Sequence, residues 1–270
     1  MKHRIWNYIA AFLLLGTMGT DAFAQGAKLA VINASGEVWA RDLSGNSVGP
    51  GVKLTGPGLF GGPDDQFVVA SQNYIAVVTT SGALWRRYVD DNSVGNGVRH
   101  SGSLFGGPDA KYVVDGGRCH AVFVVNNGGE VWAHALGPKS VGIGSKLNGP
   151  SLFGGPNDKY VVYDDLYKRL LVINTRGEVW AHDMRGSASQ GTCGFDTVGG
   201  GYKLNGPGLF GAPNDKYVVA SGGRLLVINA MGEVWARNMA HSAIGSGVKL
   251  DGPGLFGGSD DKYVVAYYVR

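Results

Sequence analysis

The chain has 270 residues, 44% hydrophobic and 17% charged, with 24 Lys and Arg against 21 Asp and Glu for a net charge of +3. That balance is too even, and too free of like-charge runs, for a nucleic-acid surface, a charged tail or a membrane-binding patch. With 46 glycines and no convincing helical stretch beyond the first residues, the chain reads as all-β and rich in turns.

Met1 to Arg4 form a basic start, Ile5 to Leu15 are mostly apolar, and the small-x-small triplet Ala22, Phe23, Ala24 follows. This predicts a cleavable secretory signal over residues 1–24, a mature chain from Gln25, and a secreted or periplasmic protein. The apolar run is shorter than the roughly 18 residues a membrane span requires. No span is expected in the mature chain, and Trp6 falls inside the signal. Taking Lys2, Arg4 and Asp21 from 24 basic and 21 acidic side chains leaves 22 and 20.

From there one unit is written along the chain five times, with tryptophans at Trp39, Trp85, Trp132, Trp180 and Trp235 and phenylalanines at Phe60, Phe105, Phe153, Phe210 and Phe256. A fixed period of this length marks a solenoid, propeller or array, in which each unit is stable only against its neighbours. Within the last complete unit, KYVVA, RLLVIN and EVWARNM are short β-type runs separated by glycine turns, and GVKL is a weaker fourth strand. GPGLFGG then makes a rigid corner. Each Phe stands eight residues before the first Val of its Val-Val pair, as in Phe60 to Val68. Trp39, Trp132 and Trp235 stand fifteen before the Leu of KL, and Trp85 fifteen before His100. Trp180 to Leu204 is twenty-four, which predicts a loop insertion in the Ser187 to Gly200 region.

The two ends complete each other. The mature chain begins at a second strand, Leu29 to Asn33, and ends on an unmatched first strand, Lys262 to Val269. Pairing them closes a ring and leaves no long sheet edge exposed. The expectation is a single domain over residues 25–270, a five-bladed β-propeller with four-stranded blades.

This order of strand, glycine turn, strand, turn, Trp strand, polar loop, KL strand and glycine-rich corner resembles the five-bladed propeller lectins of the tachylectin-2 and tectonin kind. The resemblance spans essentially the whole mature chain. Asp91-Asn92 stands where those lectins carry an Asp-Asn-Trp loop, and Leu59-Phe60-Gly61 where they carry a Gly-Gly-Trp corner. What it implies is multivalent saccharide binding without catalysis or a cofactor, with glycans or glycoconjugates, cell-surface ones above all, as partners.

Alternation along each Trp strand sets Glu37, Trp39 and Arg41 on one side and Val38 and Ala40 on the other. The equivalents are Ala83, Trp85, Arg87; Glu130, Trp132, His134; Glu178, Trp180, His182; and Glu233, Trp235, Arg237. An indole beside a cation and a carboxylate can receive the apolar face of a sugar while the charges bond its hydroxyls. Packing accounts for the same pattern, with Trp as a wedge between blades and the Arg or His paired with Glu at the surface. A second set of candidates lies in the loops after the Trp strand, expected on the same face as the turns between first and second strands: Asn46, Asp91, Asn92, Lys139 and His241.

The Asp and Asn residues before each Val-Val strand, such as Asp64, Asp65, Asn157 and Asp158, lack the spacing of a calcium loop and read as turn formers, so no metal is expected. Asn33, Asn126, Asn174 and Asn229 read the same way. Cys119 and Cys193 are the mature cysteines, and an oxidising compartment makes a bridge between neighbouring blades an expectation, against two unpaired thiols. No nucleophile elbow, zinc-binding helix or phosphate loop occurs, and the repeated acids are spread round the ring, so no enzyme is expected. Asp115, Asp164, Asp165, Asp183 and Asp196 break the repeat and leave a glycoside-acting centre open. The other alternative is an exported scaffold binding a protein through its loop face.

Overall fold

The computed structural model describes residues 26–59, 64–104, 110–152, 158–186, 194–209, 215–255 and 261–269. The secretory signal expected over residues 1–24 lies outside them, as do Cys193 and the repeated Phe of each corner. The described chain forms five antiparallel sheets, and each is one blade. The second blade has inner strand Asp65–Ser71, second strand Tyr74–Thr79, third strand Leu84–Tyr88 and outer strand Val98–Arg99. The third blade repeats this as Ala110–Asp115, Ala121–Asn126, Val131–Ala135 and Ser145–Lys146. The fourth runs Asp158–Asp164, Arg169–Asn174, Val179–Gly186 and Tyr202–Lys203, with Phe195–Val198 pairing on the extended third strand. The fifth runs Asp215–Ser221, Arg224–Asn229, Val234–Asn238 and Val248–Lys249.

The first blade is the closure read from the sequence. Its inner strand is the C-terminal Asp261–Tyr268, which pairs with Ala27–Asn33 from Ala27↔Tyr268 to Asn33↔Asp261. Val38–Ser44 and Val52–Lys53 complete it. The five inner strands touch one another in ring order, the last against the first. The molecule is a closed five-bladed β-propeller.

Apolar packing follows the ring, since the buried side chains fall into five clusters, each shared by two adjacent blades. Alternation explains this. In Ala27–Asn33, Leu29 and Val31 pack toward the fifth blade, and Ala30 and Ile32 toward the second. A strand buried on both faces must be apolar along its centre, as the LLVI of RLLVIN is.

Polar contacts fasten the junctions at three radii, the innermost in four of the five. Near the axis, the hydroxyls of Tyr112, Tyr160, Tyr217 and Tyr263 donate to the backbone of the next inner strand, at Asp158, Lys216, Asp261 and Gln66. Further out, one parallel backbone bridge joins each corner to the next blade's loop: Thr55↔Ser93, Ser101↔Ser140, Asn148↔Thr197, Asn205↔Ala243 and Asp251↔Ser47. Between these, a long side chain opening the second strand reaches across, as Lys28 does to Asp91 at 3.1 Å and buried Arg169 to the carbonyls of Ala240 and His241.

Candidate functional site

The five tryptophans are neither buried wedges nor free. Trp39, Trp85, Trp132, Trp180 and Trp235 are 38, 39, 37, 39 and 38% exposed. Each lies opposite the outer-strand cation, in the pairs Trp39↔Lys53, Trp85↔Arg99, Trp132↔Lys146, Trp180↔Lys203 and Trp235↔Lys249. In four blades that lysine, not the Arg or His two residues after the Trp, is the partner of the glutamate. Lys53 meets Glu37 at 2.5 Å, Lys203 meets Glu178 at 2.8 Å, Lys249 meets Glu233 at 2.5 Å, and Lys146 meets Glu130.

The second glutamate oxygen is held by the asparagine that ends the second strand, at 2.8 Å from Asn33 and Asn126, 2.6 Å from Asn174 and 2.7 Å from Asn229. The same asparagine accepts from backbone amides of its turn, as Asn33 does from Ser35 and Glu37. The turn role read from the sequence is therefore present and carries a second task, that of orienting the carboxylate. Lysine and asparagine together hold all four carboxyls below the ordinary range, Glu178 at about 2. They are ionised at neutral pH.

The arginine and histidine candidates sit beneath this surface. Arg41 donates to the carbonyls of Gly49 and Leu255, and Arg237 to those of Gly245 and Leu209, so each ties its blade to the preceding corner. Arg87 donates to the carbonyl of Gly95 in its own loop. His134 and His182 are each 4% exposed, and burial lowers their pKa below the ordinary value. Their Nδ1 atoms face the carbonyls of Gly142 and Gly199 at 3.1 Å. A carbonyl only accepts, so Nδ1 carries the proton. The loop covers the ring closely enough that a Cβ added at Gly144 would lie 2.5 Å from His134 Cε1.

The loop candidates gather at one end of the ring with the turns between inner and second strands, as Val89 N to Asn73 O and Met239 N to Gly223 O attest. Their contacts run between blades. Asn46 accepts from Arg224, Asp91 pairs with Lys28, and the carbonyls of Asn92, Lys139 and His241 accept from Thr55, Ser101 and Arg169. The His241 ring stacks on Tyr202 at 6.2 Å. Cys119 is disulfide-bonded and buried in the junction between the third and fourth blades, while the chain's other cysteine, Cys193, lies outside the described residues.

At the same end all five blades line an axial pocket of about 820 Å³. It draws together three of the acids that break the repeat, Asp115, Asp164 and Asp165, and leaves Asp183 and Asp196 outside its lining. The signal for it lay in the residue after each Val-Val pair, which is Ala70, Ala220 and Ala266 in three blades but Asp115 and Tyr163 in the others. Among the described residues no three His, Cys, Asp or Glu side chains form a metal-binding group. None of the described helices is long and apolar enough to cross a membrane.

No protein-family model and no curated protein matches this chain. Among solved structures it is similar to human WBSCR16, at 11% identity over 89% of this chain and 83% of that one, with a TM-score of 0.42. A putative 6-phosphogluconolactonase from Bacteroides fragilis gives 13% identity over 85% and 69%, with a TM-score of 0.42. Yeast RCC1 (Prp20), solved with Kap60 bound, gives 10% over 84% and 60%, with a TM-score of 0.38. Likenesses of this strength carry nothing about activity. The fold stands on the strand pairing itself.

Proposed function

We propose that the chain is a secreted, non-catalytic protein that binds carbohydrate multivalently through the five tryptophan faces. The observation that carries this reading is the recurrence, at every blade, of an indole about two-fifths exposed, in four of them beside a Glu–Lys pair of fixed geometry. A half-open indole offers the apolar platform on which a pyranose ring lies, while an oriented carboxylate and ammonium bond its hydroxyls. The resemblance to propeller lectins supports the same class of ligand. In this arrangement Arg41, Arg87, His134, His182 and Arg237 position the site from below, and the Glu and Lys residues meet the ligand.

Weak sites gain from number, because after one contact the others become intramolecular. The test is binding of the chain from Gln25 onward to clustered glycans, with free monosaccharides as competitors. Retention on clustered glycan, released by simple sugar only at high concentration, is the expected result; a blank from folded protein removes the reading and favours a protein partner. Trp132→Ala should lower avidity several-fold without abolishing it, since four faces remain.

The convergence of Asp115, Asp164 and Asp165 favours one second reading, a glycoside-acting centre on the axis. Against it, Asp164 is held by Arg169 at 2.9 Å and Asp165 by Lys168 at 2.6 Å. Release of chromophore from aryl glycosides, lost in Asp115→Asn, would establish it.

A further inference from the structure

The axial pocket is a single-copy feature of a five-fold repeat, and its chemistry is unlike that of the tryptophan faces. Its volume, about 820 Å³, falls within the range of small-molecule sites, roughly 300 to 1,000 Å³. Polarity is divided across the ring. The second and third blades contribute Ser71, Gln72, Asp115 and Arg118, while the fifth and first contribute Ala220, Met239, Ala266 and Val269 with the uncharged Ser221 and Tyr268, whose hydroxyls bond each other at 3.2 Å. The fourth supplies both kinds, with Asp165 and Lys168 beside Tyr163 and Leu166.

The three acids are not equivalent. Asp164 is paired with buried Arg169, and Asp165 with Lys168 and, at 3.4 Å, Arg118. Asp115 has no cation within ion-pair distance among the described residues. Its carboxylate accepts from the Tyr74 hydroxyl and, at 2.7 Å, from the Gly117 amide. With a further hydrogen bond from Ser71, these donors fix it in place, and the carboxylate keeps accepting capacity. We propose that this pocket binds one small amphipathic primary amine per chain, its ammonium against Asp115 and its apolar body toward Met239, Ala266 and Val269.

Burial raises Asp115 to about 7, against the hydrogen bonds from Tyr74, Gly117 and Ser71 and the field of Arg86, which lower it. The other charged groups around it are Arg118, Asp164, Asp165 and Lys168 from the pocket wall. A primary amine stays protonated across this range. Binding then requires the ionised carboxylate and weakens as pH falls below 7.

The experiment is calorimetric titration of the chain with benzylamine, using benzyl alcohol as the uncharged control and benzoate as the anionic one. Benzylamine should bind one to one at pH 8, weaken toward a tenfold loss per pH unit below 7, and release about half a proton at pH 7. Benzyl alcohol should bind at least tenfold less well. Asp115→Asn, which keeps an acceptor for Tyr74, should lose benzylamine binding by at least tenfold with unchanged circular dichroism. The pH dependence and proton release are read on the unaltered chain, so they stand even if that variant misfolds. No binding, binding indifferent to pH, or preferential uptake of benzoate strengthening at low pH would overturn the proposal, the last placing the ligand on Arg118 and Lys168. None of these outcomes depends on whether the tryptophan faces bind sugar.

Discussion

Burial holds the Asp115 carboxyl at about 7 instead of the ordinary 3.8, so between those values the folded chain keeps a proton that the unfolded chain gives up. The sign follows: the group's contribution is fully present below its unfolded pKa and is lost as pH rises through 7. Asp115→Asn removes that slope. The melting temperature of the variant relative to the wild type should rise between pH 4 and pH 7 and level off by pH 8. Parallel curves would refute the burial. The half-buried glutamates act oppositely, because Lys203, Asn174 and Arg176 hold Glu178 at about 2, so its contribution is present above the unfolded value and fades as pH falls toward 2. Asp115 was visible in the sequence as an acid that breaks the repeat. Its burial was not, because one blade's pattern does not say which strand end faces the axis.

At the scale of the blade, the corner and the outer strand are governed by close approach and by register. Gly149, at φ 139° beside the inter-blade bridge, would put a Cβ 2.0 Å from the carbonyl of Val198, and Gly56, Gly206 and Gly252 meet their neighbours the same way. Gly149→Ala therefore forces the bridge apart. Its melting temperature should fall by several degrees, equivalent to about 1 to 3 kcal/mol, whereas alanine at exposed Gly200, which meets nothing within 4 Å, should cost less. The second blade breaks the glutamate rule. Ala83 replaces the acid, and Arg99 stands opposite Trp85 without a carboxylate partner among the described residues. If the faces bind sugar, this one prefers an acidic saccharide. Ala83→Glu should restore the pair found in the other blades and lower binding of a sulfated oligosaccharide several-fold while sparing a neutral one; equal losses would refute the preference. The strands and the Trp alternation were legible from period-2 patterning. The glutamate's true partner was not identified, although the lysine of KL stands directly opposite Trp. Sequence proximity favoured the Arg or His on the same strand, but there the backbone carbonyls of the loop and corner claim the cation.

Across the whole molecule, ring closure was the most legible feature, since two half-blades at opposite ends admit one completion that pairs both edges. The structure adds how little separates them. Val269 N donates to Gly26 O at 3.0 Å, and Ala27 pairs with Tyr268 as Arg224 pairs with Ser221 in the fifth blade. There the turn is Gly222-Gly223, with Gly223 at φ 75°, and Gly26 sits at φ 84°. Gly222 too is at positive φ, 57°, which a β-branched residue resists, so Val269→Gly joined directly to Gly26 would recreate a turn the chain already uses. A permutant made that way, and opened between Gly222 and Gly223, moves the closing hydrogen bonds from the first blade to the fifth without removing a contact from any junction. It should fold and unfold cooperatively with a melting temperature within a few degrees of the parent. Deleting residues 261–270 has the opposite consequence, because Val264 belongs to the cluster shared with the fifth blade and Val265 and Tyr267 to that shared with the second. That truncation opens two apolar junctions together and should abolish the cooperative transition. A permutant that fails while the truncated chain still melts cooperatively would mean that the ring does not depend on this seam.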